Sequence, residues 1–112
     1  MQFSRDTLVV SVGKTVSILF ENSDFMQHNL LIVMPGKLEV VGQAADALMS
    51  TSDAVENDYV PQIPEVLFST KVLNPNERVR LTFKAPIRPG AYPFVCTFPG
   101  HWRIMNGILI VK

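Results

Sequence analysis

Cysteine is almost absent from this 112-residue chain, which contains a single one, Cys96, and only two histidines, His28 and His101. One cysteine cannot form a disulfide within the chain, so cysteine pairing gives no information on the redox compartment. The Cys96 thiol must therefore be buried and inert, reactive, or bound to a metal. Histidine is equally scarce, and any site that needs two imidazoles must use both.

An excess of charge is also lacking. Ten basic and ten acidic residues give a formal net charge of zero, so the composition does not indicate nucleic acid as a partner. No apolar stretch approaches the roughly 20 residues that span a bilayer. The sequence therefore predicts no transmembrane segment in this chain.

The length predicts one domain covering residues 1–112, with no room for a second. A hydrophobic content of 47% and a charged content of 18% are typical of a compact core. The N-terminus has no apolar signal core. We expect either that a signal has been removed or that the domain was cut from a longer protein.

Apolar residues alternate with polar ones along most of the chain. Residues 15–20 and Arg78–Lys84 are clear examples, and in the second the charged or polar side chains occupy every other position. This period of two is typical of half-buried antiparallel strands. Turn signals such as Asn74-Pro75-Asn76 separate the runs. The pattern predicts an all-β fold, a sandwich or a barrel.

One segment departs from this alternation. In residues 38–49 the apolar side chains recur at spacings of three and four, and several alanines favour helix. We predict one short helix here, followed by irregular chain to about Pro64. The helix should pack on the outside of the β-structure. The last strand, residues 108–112, is nearly all apolar and should lie centrally in a sheet.

Three possible metal ligands share one loop. Cys96, His101 and Met105 lie at spacings of five and four, between predicted strands at residues 91–96 and 108–112. A thiolate, an imidazole and a thioether suit copper better than magnesium or calcium. Each residue alone has a more ordinary explanation: an inert buried cysteine, an exposed loop histidine and a core methionine.

A trigonal copper site needs a second imidazole, and His28 is the one available. If the run of residues 25–33 forms an unbroken strand, His28 shares a face with Leu30 and Ile32. A histidine on an apolar face is more often a hydrogen-bonded core residue than a ligand. Together, however, the four residues make up a His₂Cys plane with an axial methionine, which is a blue-copper ligand set.

The chain resembles the cupredoxins, and among them the azurins. The pattern Cys-Thr-Phe-Pro-Gly-His-x-x-x-Met-x-Gly is present without a gap from Cys96 to Gly107, and Met-x-His-Asn is present at residues 26–29. Three further features are similar. They are Tyr-x-Phe-x-Cys at residues 92–96, Met-Gln-Phe at the start, and the helix-bearing segment that ends near Asp58-Tyr59, which we call the excursion. The resemblance therefore covers nearly the whole chain.

The resemblance implies a Greek-key β-sandwich that holds one type 1 copper ion. His28, Cys96 and His101 would be the equatorial ligands and Met105 the weak axial ligand. The backbone carbonyl of Gln27 would face the copper from the opposite axial side.

It also implies roles for residues around the ligands. Asn29 and Thr97 would tie the two ligand segments together, and Phe98 would shield the sulfur, since such outer partners orient ligands and tune a metal. The chain departs from the azurins at Gln27, where they have glycine, at Trp102-Arg103, where they have small residues, and at the N-terminus, where they have a further strand stapled by a disulfide.

The function implied is one-electron transfer, without enzyme activity. Electrons would leave through His101, whose far ring edge should reach the surface through an apolar collar of Met26, Phe98, Pro99 and Trp102. This collar suits weak, transient docking of a redox partner. Trp102 has an alternative role as a seal over the loop. We expect Arg103 to be a solvated surface charge.

Other functions remain open from the sequence. A Cys–His hydrolase lacks a convincing residue to orient the histidine. A nitrite reductase would need more histidines, and a binuclear copper centre a second cysteine in the loop. A copper storage or sensing module, or an interaction domain of a larger protein, is the main alternative. The resemblance implies a periplasmic or extracellular location.

Overall fold

The computed structural model describes residues 2–112, so Met1 of the Met-Gln-Phe match lies outside the described residues. The described chain forms seven strands and one helix. In chain order they are β1 (Thr7–Val10), β2 (Thr15–Glu21), β3 (Leu31–Val33), α1 (Leu38–Leu48), β4 (Val66–Ser69), β5 (Arg78–Lys84), β6 (Gly90–Val95) and β7 (Asn106–Val111).

The strands form two sheets that face each other. The larger has the order β1-β7-β6-β3-β4 and the smaller contains β2 and β5. All pairs are antiparallel except β1–β7. The chain crosses between the sheets four times, and the main core fills the space between them with side chains that include Phe20, Ile32, Phe83, Tyr92 and Leu109. The predicted Greek-key β-sandwich is confirmed.

Strands β6 and β7 position the ligand loop. Their register runs from Gly90 opposite Val111 to Val95 opposite Asn106, so residues 96–105 connect two adjacent strands at one end of the sandwich. Strand β7 lies between β1 and β6, as its apolar sequence predicts. Cys96, directly after β6, is fully buried.

The run of residues 25–33 is not an unbroken strand. Strand β3 begins only at Leu31, and His28 forms an isolated bridge with Leu73. The ladder is interrupted because the Thr70 hydroxyl accepts the Leu30 N–H at 3.0 Å. The alternation of faces survives the interruption, since Leu30 and Ile32 pack in the main core.

Helix α1 matches the predicted segment and packs on the outer face of the larger sheet. Val41 is fully buried there against Leu31, Val33 and Val95. Strand β4 is not evident from the sequence. Its residues Val-Leu-Phe-Ser do not alternate between apolar and polar, and the first three are all half-buried. No helix in the described residues is long and apolar enough to cross a membrane.

Gly107 gives a test of the packing beneath the ligand loop. A Cβ at this position would overlap the Phe94 ring and lie 2.6 Å from the Asp6 carbonyl oxygen. We expect Gly107→Ala to lower the free energy of unfolding by about 1–3 kcal/mol, because the backbone must shift. Urea denaturation measures the change, and Gly90→Ala is the control, since its nearest neighbour would be 3.7 Å away. Equal unfolding midpoints for the two variants would show that the packing is looser than described.

Candidate metal centre

Three ligand atoms from distant parts of the sequence meet at one end of the sandwich. The Cys96 Sγ lies 3.7 Å from His28 Nδ1 and 3.6 Å from His101 Nδ1. All three atoms lie within 4.8 Å of one another. The three residues are 0–2% exposed. The fold therefore brings His28 back to the loop.

These distances fit a single metal ion. An ion bound about 2.3 Å from a thiolate and about 2.0 Å from an imidazole nitrogen, as zinc is, separates sulfur from nitrogen by about 3.7 Å when the bonds are trigonal. Both sulfur–nitrogen distances match this value. Both histidines present Nδ1, and one soft and two intermediate donors suit copper.

The loop folds back on itself to place its ligands. Gly100 has a φ of 83°, in the left-handed region that glycine adopts without strain. The His101 N–H donates to the Phe98 carbonyl at 3.0 Å, and the Met105 N–H to the His101 carbonyl at 2.8 Å. The Cys96 N–H donates to the Met105 carbonyl at 3.0 Å. Met105 is therefore fixed beside Cys96, and it lines the same cavity as His28.

Burial sets the protonation of the ligands before metal binds. Desolvation raises the pKa of the Cys96 thiol, although hydrogen bonds from the Asn29 and Phe98 backbone oppose this. Desolvation also lowers the pKa of His101, and a charge on His28 would lower it further. A neutral thiol and neutral imidazole are thus favoured, and a bound cation supplies the charge that stabilises a thiolate.

Asn29 and Thr97 join the two ligand segments. The Thr97 N–H donates to Asn29 Oδ1 at 2.7 Å, and Asn29 Nδ2 donates to Thr97 Oγ1 at 3.0 Å. Both residues also bind the excursion: Asn29 Nδ2 donates to the Asp58 carbonyl and Thr97 Oγ1 to the Tyr59 carbonyl, each at 2.8 Å. The positions next to His28 and Cys96 are therefore fixed to the same piece of backbone.

The Gln27 side chain points away from the centre. Its Nε2 donates to Asn74 Oδ1 at 2.6 Å in an exposed contact. Met26, its neighbour, is half-buried.

Trp102 packs against helix α1. It is 9% exposed, and its ring occupies the space above Gly42, where a Cβ would overlap it. Its Nε1 donates to Asp46 Oδ1 at 3.1 Å. These contacts favour the sealing role over the docking role. The Arg103 side chain is 63% exposed, which agrees with the expected surface charge, and it also binds Asp46 at 3.2 Å and lies 4.4 Å over the Trp102 ring.

His101 is more deeply buried than the sequence predicts. The residue is 2% exposed, and its Nε2 is buried without a hydrogen-bond partner among the described residues. The prediction that the far ring edge reaches the surface is therefore wrong. The Phe98 ring lies 5.1 Å from the His101 ring. Phe98 and its neighbour Pro99 are both half-buried.

Asp24 is a residue of the site that the sequence does not reveal. Its Oδ2 lies 2.9 Å from His28 Nε2. This nitrogen is on the opposite side of the ring from Nδ1, which faces Cys96. The residue belongs to Asn22-Ser23-Asp24, a segment that the sequence identifies only as a turn. Its position four residues before His28 was the available signal, but a loop has no periodicity from which to infer a contact.

Comparisons with known proteins agree with this geometry. The sequence model for copper-binding proteins of the plastocyanin/azurin family matches residues 1–112. Auracyanin-A of Chloroflexus aurantiacus is 37% identical over all of this chain, which spans 68% of that protein. Auracyanin-B of the same organism is 33% identical over 99% of this chain, which spans 47% of it.

A solved structure is similar as well. The structure of auracyanin A from Chloroflexus aurantiacus, described as a "blue" copper protein, has a TM-score of 0.85 and 35% identity. The match covers 99% of this chain and 89% of that one. The similarity therefore includes both sheets and the ligand loop.

The Asn29–Thr97 contact can be tested without metal. We expect Asn29→Ala to lower the free energy of unfolding of the metal-free protein by about 1–3 kcal/mol, because the Thr97 N–H would be buried without a partner. Urea denaturation measures the effect. Asn57→Ala is the control, since its side-chain hydrogen bond to Asp53 is exposed, and it should cost less than about 0.5 kcal/mol. A loss no larger than the control's would rule out a structural role for the contact.

Proposed function

We propose that this chain, which belongs to the plastocyanin/azurin family of copper-binding proteins, is a type 1 copper protein that transfers single electrons. The observation that carries the proposal is the position of one cysteine sulfur 3.6–3.7 Å from two histidine Nδ1 atoms. Bound copper supplies the one-electron chemistry by alternating between Cu(I) and Cu(II).

The residues divide into equatorial and axial ligands. His28, Cys96 and His101 would hold the copper equatorially, and Met105, which lines the same cavity as His28, would be the weak axial ligand. The backbone carbonyl of Gln27 would face the copper from the opposite axial side, while its side chain is bound to Asn74.

The protein's main contribution is to hold these ligands still. Cu(I) and Cu(II) prefer different geometries, so a flexible site would rearrange with each electron. The ligand loop is fixed by its own backbone hydrogen bonds and by the Asn29–Thr97 contact. The ligands therefore keep one arrangement in both oxidation states, which makes electron transfer fast. The chain is not an enzyme, and the 0–2% exposure of its three strong donors leaves little room for substrate.

Electrons enter and leave on the His101 side. The half-buried Phe98 ring lies 5.1 Å from the buried His101 ring, so a partner that contacts Phe98 is one side-chain layer from the ligand. Met26, Phe98 and Pro99 form the docking surface, while Trp102 closes the loop from the α1 side. An apolar surface on a chain of zero net charge suits weak and transient contact with a redox protein.

The chain forms a single copper domain, residues 1–112. It spans 68% of auracyanin-A and 47% of auracyanin-B. We place it in the periplasm or outside the cell, where the proteins it resembles are usual.

Addition of Cu(II) to the metal-free protein tests the ligand assignment. We expect an intense visible absorption from charge transfer between the Cys96 thiolate and copper. Cys96→Ser should abolish the band, because a hydroxyl does not form this bond at neutral pH. A wild-type protein that stays colourless, with only weak copper uptake, would refute the assignment.

A further measurement separates a carrier from a copper store. A carrier keeps its metal in both oxidation states and exchanges electrons quickly between reduced and oxidised molecules, which NMR line broadening in mixtures detects. A store would release Cu(I) to a competing chelator instead. We expect broadening and retention; rapid release with no broadening would favour storage.

A further inference from the structure

Asp24 makes the only side-chain contact to the far nitrogen of either ligand histidine among the described residues. Its Oδ2 lies 2.9 Å from His28 Nε2, whereas His101 Nε2 has no such partner. The two imidazoles are therefore unequal. One is bound to a carboxylate, and the other is covered by apolar side chains.

The carboxylate is held in place by the loop around it. Asn22 is 3% exposed, and its Nδ2 donates to the Met26 carbonyl at 2.8 Å and the Leu73 carbonyl at 3.0 Å. The Asp24 N–H donates to Asn22 Oδ1 at 3.0 Å, and Asp24 Oδ1 accepts the Phe25 N–H at 2.7 Å. With its side chain only 26% exposed, Asp24 is fixed against His28 rather than free to swing into solvent.

The contact determines which nitrogen of His28 can bind metal. Asp24 Oδ2 lies 2.9 Å from His28 Nε2, and its Oδ1 accepts the Phe25 N–H, so the carboxylate is placed to accept a hydrogen bond from the imidazole. An ionised carboxylate only accepts hydrogen bonds. His28 must then carry its proton on Nε2, which leaves the Nδ1 lone pair free on the side that faces Cys96.

We propose that Asp24 is a positioning residue of the copper centre, which fixes the His28 ring and its Nε2–H form and lowers the reduction potential. The proposal rests on the proposed function. A negative charge behind a ligand makes the imidazole a stronger donor, and it stabilises Cu(II) more than Cu(I), because Cu(II) carries the larger charge. The potential is thus tuned from the His28 side as well as by the Met105 thioether.

The potential of three copper-loaded proteins tests the electrostatic part. We expect Asp24→Asn to weaken Cu(II) binding relative to Cu(I) about 10-fold, a rise in potential of about 59 mV for one electron. Asp53→Asn is the matched control, since it removes one negative charge from an exposed site in the excursion, and it should leave the potential unchanged. Asp24→Glu, which keeps the carboxylate, should recover part of the shift. Equal potentials for Asp24→Asn and wild type would overturn the proposal.

The protonation of His28 tests the positioning part without copper and without a variant. Nitrogen-15 NMR of the histidine rings in the metal-free wild-type protein at neutral pH should show His28 with its proton on Nε2 only. A proton on Nδ1, or a mixture of both forms, would overturn the proposal even if the copper site forms. A wild-type protein with the expected Nε2–H form but no visible copper band would instead refute the proposed function and leave the Asp24 contact standing.

Discussion

The hydrogen bonds between Asn29 and Thr97 are the contact on which the copper site depends. They join residues 68 positions apart in the sequence, one next to His28 and the other next to Cys96. Neither ligand segment is held by a long strand at this point, because β3 begins only at Leu31 and β6 ends at Val95. Strands β3 and β6 pair only at Leu31–Val95 and Ile32–Phe94. The side chains of Asn29 and Thr97 therefore join the two segments beyond the last pair of the ladder.

The surroundings of the ligands explain how the site combines rigidity with electron transfer. On one side, the carboxylate of Asp24 fixes His28. On another, Trp102 packs over Gly42 and ties the ligand loop to α1 through Asp46. His101 is covered by the apolar ring of half-buried Phe98, 5.1 Å away. Ligands that are held in place, with an apolar side chain over one of them, suit a site that gives up electrons and keeps its metal.

The sequence predicted much of this structure, and the failures have physical causes. The ligand loop was predictable because its residues are contiguous, and α1 because its apolar spacing is distinct. The break before β3 was not, since it depends on the Thr70 side chain, 40 residues from Leu30. The cover over His101, the Arg103–Asp46 pair and the Asp24–His28 contact were missed or misjudged for the same reason. Each depends on where a side chain points in a loop, and loops carry no periodic signal.

X-ray absorption at the copper edge tests the central claim most directly, because it reports the ligands of the metal in both oxidation states. Our account predicts one short copper–sulfur bond and two copper–nitrogen bonds in Cu(II), and the same set in Cu(I) with only small changes in length. A copper shell without the sulfur, or the loss of a histidine upon reduction, would contradict it.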